Sequence, residues 1–574
     1  MSARAPEDKT SERLASGVSR VECYLHVMPR RAEKWMLGAV AALVALSCYS
    51  GGPTESAPAP RSASLTASTR RLRRLSSREY DNVVRDLLRD ATKPSKTFLV
   101  DSYQNGYDNG SAGLAVQSDQ VALYQQAAEA LAATAVTGDV SLLLGGCDVA
   151  ARGDAACVDA FLTTTAARAF RRPLTVTEAD RLRAAFKAGV YSPGGFVRGV
   201  QTMLEVILQS PQFLYREELG AANAAPAPGA TVELTDYEVA SELSFLLTGS
   251  IPDLALWTAV ADGRFTSVGD RRREASRLLE TPGAKDALRA FMHQWLATDR
   301  LPTLTKDAHF YPTFAPAMAM SMSSELDLFY DDVLFSGVGS LGVLFTSNRS
   351  FADDALATLY GLPSTGSGMH PVTLDPTLRK GIMTRAGFLA VHSATDSSGP
   401  VARGVFVLDR IMCLPPPQPP ANVPPVVPAD DPGVKNVTTR ERFAKHATGF
   451  CAGCHDQIDG VGFGFEQFDG IGAFRTTENG QPVDSSGTVV GASGIAGAYN
   501  GVAELSAKLA QSRVLADCFV KQAYRYAMGS IEPPTDDLGA LSKGFDANAR
   551  LTDILLAIVS SPLFVERTFE SQNP

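Results

Sequence analysis

One short pattern constrains this chain more than any other, because it dictates where helices must begin. It occurs at Leu75-Ser76-Ser77-Arg78-Glu79-Tyr80, at Leu174-Thr175-Val176-Thr177-Glu178-Ala179 and at Leu234-Thr235-Asp236-Tyr237-Glu238-Val239. In each, a Ser or Thr side chain can accept from the backbone N–H three residues on, and the Glu can reach back to the cap's own N–H. The leucine ahead of the cap is placed to pack on the residue after the Glu. Apolar residues then recur at helical spacing, as in Val83, Leu87 and Leu88 or Val239, Leu243 and Leu246. From Arg70 to Gly339 the pattern stays helical, so a mainly α fold is expected. The arginines between Arg70 and Arg78 read as a solvated helix entry.

At 574 residues the chain exceeds what one hydrophobic core usually organises, so several domains are expected. Hydrophobic residues at 45% and charged residues at 20% are ordinary for a globular protein, and a formal charge of -9 argues against nucleic acid as a partner. From Met28 the sequence reads MPRRAEK, then WMLGAVAALVALS, then Cys48. A basic flank, an apolar run and small residues before a cysteine make an export signal, with Met28 as the start of translation and Cys48 as a candidate for lipidation and hence membrane tethering. The Ser-, Ala- and Pro-rich stretch to residue 68 reads as a tether.

Export implies an oxidising compartment, in which the cysteines sort themselves. Cys23 lies upstream of the start and Cys48 belongs to the signal. Cys147 and Cys157 are close enough to pair, and Cys413 with Cys518 follows by elimination, four buried thiols being the alternative. A second echo, Ser210-Pro211-Gln212-Phe213 to Arg216 against Ser561-Pro562-Leu563-Phe564 to Arg567, follows an apolar helical run each time, and each Pro is expected to stop a helix. The segment LPPPQPPANVPPVVPADDPG, from Leu414 to Gly433, lacks too many N–H groups for helix or central strand. It reads as an extended, proline-rich strap ahead of a distinct C-terminal module.

That module contains CAGCHDQIDGVGFGFEQFDGIGAFR, Cys451 to Arg475. With 8 Cys and 7 His in 574 positions, C-x-x-C-H arises by chance in on the order of one in a thousand chains. Cysteines three apart share a helical face, so both sulfurs can form thioethers to one porphyrin while the next residue brings imidazole to the iron. Cys451, Cys454 and His455 therefore read as the attachment site of one covalent c-type haem. Zinc would call for a second ligand pair, for which only the distant Cys413, Cys518 and His446 are available. A thioredoxin-like dithiol would need a strand before the motif, and TTRERFAKHATGF is helix-like instead. Met528, ahead of Gly529 at an apparent helix end, is the candidate distal iron ligand, with His392, Met383 and His446 behind it. Met318, Met320 and Met322 alternate as copper-binding methionines can, but they precede a helix-like run beginning at Ser323, which argues against a copper role. The carboxylates Asp456, Asp459, Glu466 and Asp469 read as an acidic rim. No hydrolase or phosphate-binding constellation emerges.

The haem segment resembles that of the planctomycete-type cytochrome c-like family, exported bacterial proteins built from consecutive domains of unknown function. RRLRRLSSREYDNVVRDLL, ARAFRRPLTVTEADRL, ILQSPQFLYRE, LTDYEVASELSFLLTGSIPD, SGPVARGVFVLDRIMCLPPPQPPANVP and ILLAIVSSPLFVER match in the same order. The family usually carries Asp-Pro where this chain has Asp459-Gly460, and often an aromatic residue near Thr248.

The expectation is thus a mainly α, multi-domain helical protein with a C-terminal c-type haem-binding module and a proline-rich strap. Its divisions are an upstream extension and export signal (1–48), a tether (49–68), helical domains at 69–145, 146–220 and 221–365, a strap and haem module at 366–500, and a helical segment at 501–574. The expected function is electron transfer with an unidentified redox partner protein, in the periplasm or as a cell-envelope lipoprotein. The alternatives are a haem-dependent enzyme, a haem subunit of a complex acting on an extracellular polymer, and a zinc-stabilised binding module.

Overall fold

In the computed structural model, which describes residues 68–69, 72–138, 140–221, 230–419, 436–444, 451–532 and 538–568, helices begin where the repeated pattern places them. Ser77–Leu88, Val176–Val190 and Asp236–Thr248 each start in a closed capping box made by Ser76 with Glu79, Thr175 with Glu178 and Thr235 with Glu238. Each such cap stabilises its helix by about 1 kcal/mol. Leu75 and Tyr80 are buried together, as are Leu234 and Val239, in the role of staples. The export signal, Cys23, Cys48, the tether up to residue 67, His446 and the strap beyond residue 419 lie outside the described residues, while Ser68, the last residue assigned to the tether, is in a strand. The chain divides into 1–62, also outside them, and 63–574, whose architecture follows.

The fold is mainly helical and has two hydrophobic cores. The smaller gathers residues from Leu75 to Leu214 with Phe245 and Ile251. The larger runs from Leu234 to Val565, with Tyr107 inserted from the N-terminal part. Helix Asp236–Thr248 feeds both, since Phe245 faces one core while Leu243 and Leu246 face the other. Strands are short. Glu566–Thr568 lies between Ser68–Thr69, parallel to it, and Thr231–Glu233, antiparallel. Arg73–Arg74 pairs antiparallel with Tyr215–Arg216. Among the described residues no helix is long and apolar enough to cross a membrane.

The junction of the two cores carries buried charge. Arg216 donates to Glu79 at 3.0 Å and to Glu242 at 2.9 Å, and Arg73 also binds Glu242. Nearby, Arg567 donates to Glu218 at 2.6 Å. The two arginines of the repeated Ser-Pro-x-Phe motif, Arg216 and Arg567, are thus both buried ion-pair partners. Each motif's Pro opens a new short helix, Pro211–Leu214 or Pro562–Val565, just after the preceding helix ends. The arginine cluster at 73–74 departs from its expected solvated role. Arg73 and Arg74 are both buried, the latter against Asp101 and Tyr124, because their partners come from distant sequence.

Burial alone would raise the Glu242 carboxyl, but the guanidinium of Arg216, then that of Arg73, outweighs it and holds the group well below its ordinary value. Removing one partner of a buried pair typically costs about 3–5 kcal/mol, so Glu242→Gln should lower the thermal midpoint by that equivalent. With the folded pKa below an unfolded value of about 4.3, the unfolded chain binds more protons in between. The contribution of Glu242 should accordingly be full above that pH and decline below it. Chemical denaturation as a function of pH, wild type against Glu242→Gln, should show the difference between them shrinking as pH falls through that window.

Candidate haem-attachment site

Helix Ala452–Gly462 carries the CAGCH motif, with Cys451 as its N-cap residue. Cys451 and Cys454 are free thiols, half-buried and one helical turn apart, and Cys454 packs in part on the larger core. The other described cysteines are bonded, Cys147 to Cys157 and Cys413 to Cys518, the pairs singled out by closeness and by elimination.

The helix is fixed in place by contacts that leave no room for side chains. A Cβ at Gly404 would stand 2.2 Å from the Ile458 carbonyl oxygen, and one at Gly462 would stand 2.1 Å from that of Pro400. Helix Pro400–Phe406 therefore crosses the motif helix backbone to backbone. On the opposite side, a Cβ at Gly460 would meet the Thr488 carbonyl oxygen at 2.3 Å. That oxygen belongs to strand Ser486–Val489, which pairs antiparallel with Gly497–Asn500. From the second strand Tyr499 donates its hydroxyl to the carbonyls of Gly460 and Val461, at 3.0 and 2.8 Å. Where the resembling family has Pro, Gly460 thus admits the strand.

The rest of the glycine-rich segment is structural. Arg403, fully buried, donates to the carbonyls of Phe468 and Asp469 at 2.9 and 2.7 Å. Glu466 accepts from Ser398 at 2.8 Å and from Arg475 at 3.0 Å. Burial raises the Glu466 carboxyl, against the pull of Arg475 and Arg403. The expected acidic rim is therefore a mixture. Asp456 is exposed, Asp469 is half-buried, and Asp459 and Glu466 are buried by the packing of the neighbouring elements.

His455 sits beside a cleft of about 510 Å³ whose walls include Asp459, Phe463, Arg440, Thr488 and Tyr499. Its Nδ1 lies 3.1 Å from each carboxylate oxygen of Asp459, one helical turn on. Burial raises the Asp459 carboxyl, and the hydrogen bond from His455 works against that shift. Arg440 covers the Phe463 ring and donates to the Ser486 carbonyl at 2.6 Å.

The other candidate ligands lie elsewhere. Met528 is buried at the end of helix Arg513–Met528, and Gly529 closes that helix in the left-handed conformation, against Arg73 and Asn109. Met383 is wholly buried in the larger core. His392 is buried with Nε2 bonded to the Leu296 carbonyl at 2.9 Å and its ring against Phe406, and burial lowers its pKa to about 3, which keeps it neutral. None of the three lines the cleft. Met318, Met320 and Met322 fall inside helix Pro316–Phe335, where alternate residues point apart, so Met322 is buried and Met320 exposed. Tyr499, Thr488 and Arg440 carry no signal in the sequence, since only the fold brings the hairpin and helix Thr439–Ala444 to the motif helix.

Five consecutive family models, each described as a protein of unknown function, match the chain: DUF1587 at 73–137, DUF1595 at 157–218, DUF1592 at 234–362, DUF1588 at 379–478 and DUF1585 at 497–564. The chain belongs to the planctomycete-type cytochrome c-like family of exported bacterial proteins. No curated protein and no solved structure matches it significantly. Membership points to a cytochrome-like, electron-transfer role, and CAGCH falls within the fourth matched region. The residues present fit a covalent haem. Two free thiols stand a turn apart, one imidazole nitrogen is tied to a carboxylate while the other has no hydrogen-bond partner among the described residues, and a cleft of ligand size adjoins the imidazole. A closed zinc site fits poorly. Cys413 and Cys518 are bonded to each other, and no metal-ligand cluster occurs among the described residues.

The glycine crossing makes a sharp contrast available within one helix. Gly462→Ala forces a methyl into the Pro400 carbonyl and should lower stability by about 1–3 kcal/mol. Gly453→Ala meets nothing within 4 Å and should raise stability by about 0.5–1 kcal/mol through helix propensity. Denaturant midpoints of the two variants should move in opposite directions.

Proposed function

We propose that this protein is an exported c-type cytochrome-like protein that binds one haem covalently through Cys451, Cys454 and His455 and transfers electrons to a partner protein in the cell envelope. The observation that carries this reading is the pair of unpaired thiols at the start of helix Ala452–Gly462, in a chain whose other described cysteines form disulfides. A haem attached there would supply a one-electron iron couple. The chain's own contribution is binding and orientation. Cys451 and Cys454 supply the two sulfurs for thioethers, and His455 supplies a nitrogen ligand from the adjacent position. The hairpin 486–500 and helix Pro400–Phe406 hold the motif helix from two sides, so the three attaching groups keep their relative placement.

The mature chain, expressed in a host with a haem-attachment system, should gain the mass of one haem and give a pyridine haemochrome spectrum with stoichiometric haem. Cys451→Ala with Cys454→Ala should abolish covalent attachment, and His455→Ala should change the reduced and oxidised spectra. A colourless wild-type protein carrying one zinc per chain would overturn the reading.

A further inference from the structure

The hydrogen bond between His455 and Asp459 deepens that reading and rests on it. An imidazole can offer a metal only the nitrogen whose lone pair is free. With Nδ1 at 3.1 Å from both oxygens of Asp459, the proton is placed on Nδ1 and the lone pair on Nε2. The carboxylate is not a mobile surface group. Asp459 is 5% exposed and occupies the turn where the helix is most tightly held, between the Gly404 contact at Ile458 and the Thr488 contact at Gly460. Among the described residues its hydrogen-bond partner is His455 and no arginine or lysine forms an ion pair with it, Arg440 acting on it only from farther away.

A buried carboxylate that accepts from a metal-bound imidazole raises the basicity of that ligand, and its charge favours the more positive metal. We infer that Asp459 is a positioning residue that fixes His455 in the Nδ1–H form and lowers the reduction potential of the haem this site binds. With haem bound, the couple concerned would be ferric to ferrous, the one electron being supplied by an external donor, with no bond made or broken in the protein. The side chain of Asp456 provides an internal comparison. It lines the same cleft and carries the same formal charge, but it is exposed, and the His455 ring bonds to Asp459 instead.

The test is a spectropotentiometric titration with redox mediators on the mature, haem-loaded chain, comparing wild type, Asp459→Asn and Asp456→Asn. Asp459→Asn keeps the shape and removes the charge. Its potential should rise by an amount equal to at least a tenfold change in the reduction equilibrium, about 59 mV for one electron. Asp456→Asn should shift it by clearly less, because solvent screens an exposed charge. Equal shifts in the two variants, or no shift in Asp459→Asn at unchanged haem content, would overturn the inference. Should Asp459→Asn fail to fold, nitrogen-labelled histidine in the ferrous wild-type protein gives a second reading by NMR. A slowly exchanging proton on Nδ1 of His455 supports the assignment, and a freely exchanging one refutes it. Wild-type material that carries no covalent haem would instead remove the reading beneath the inference, and the haemochrome assay separates that failure from an unshifted potential.

Discussion

Two backbones meet with no side chain between them where helix Pro400–Phe406 crosses helix Ala452–Gly462, and the arrangement of the site follows from that contact. Gly404 lies against the Ile458 carbonyl and Gly462 against that of Pro400, so any larger residue at either position would push the motif helix away. The displaced helix would lose its second support as well, because Gly460 and Tyr499 tie it to the hairpin on the opposite side. Cys451, Cys454 and His455 are useful only as a set with fixed spacing. Their spacing is local to one helix, but the placement of that helix, with His455 beside the cleft, depends on two elements distant in sequence.

The second organising feature is electrostatic. Glu242 gathers Arg73 and Arg216 at the junction between the two cores, and Arg216 reaches on to Glu79, within the capping box of helix Ser77–Leu88. A single carboxylate thus connects the first helix, the strand at 215–216 and the helix that feeds both cores. In a low-dielectric interior such an arrangement is stable only when every charge has its partners. A slipped junction between the two cores would leave a buried charge without its partner, at a cost of several kcal/mol.

Sequence reading succeeded where the governing interaction is local. Capping boxes at Ser76, Thr175 and Thr235 involve residues three apart, and the helix end at Gly529 requires only a positive φ, so each could be recognised from a few letters. C-x-x-C-H is legible for the same reason. Reading fell short where the partner is far away. Arg73 and Arg74 read as solvated because Glu242 is 169 residues from the first and Asp101 is 27 from the second. Asp459 and Glu466 read as a rim because nothing nearby announces the packing that buries them. The methionines at 318, 320 and 322 were placed ahead of a helix that in fact begins at Pro316. The cleft walls at Thr488 and Tyr499 escaped attention because a short hairpin has little signature of its own.

The bond between Cys413 and Cys518 has a topological consequence. Its two ends are 105 positions apart, and the interval between them contains the strap, the motif helix and the hairpin, so that whole stretch is a covalent ring. A protease that severs the ring once leaves both fragments joined through sulfur until a reductant is added. Ring closure also restricts the unfolded chain, by about 4–5 kcal/mol in the chain-entropy treatment for a loop of this size. The segment bearing Cys451 and Cys454 is thereby kept near its final neighbours even in the unfolded chain.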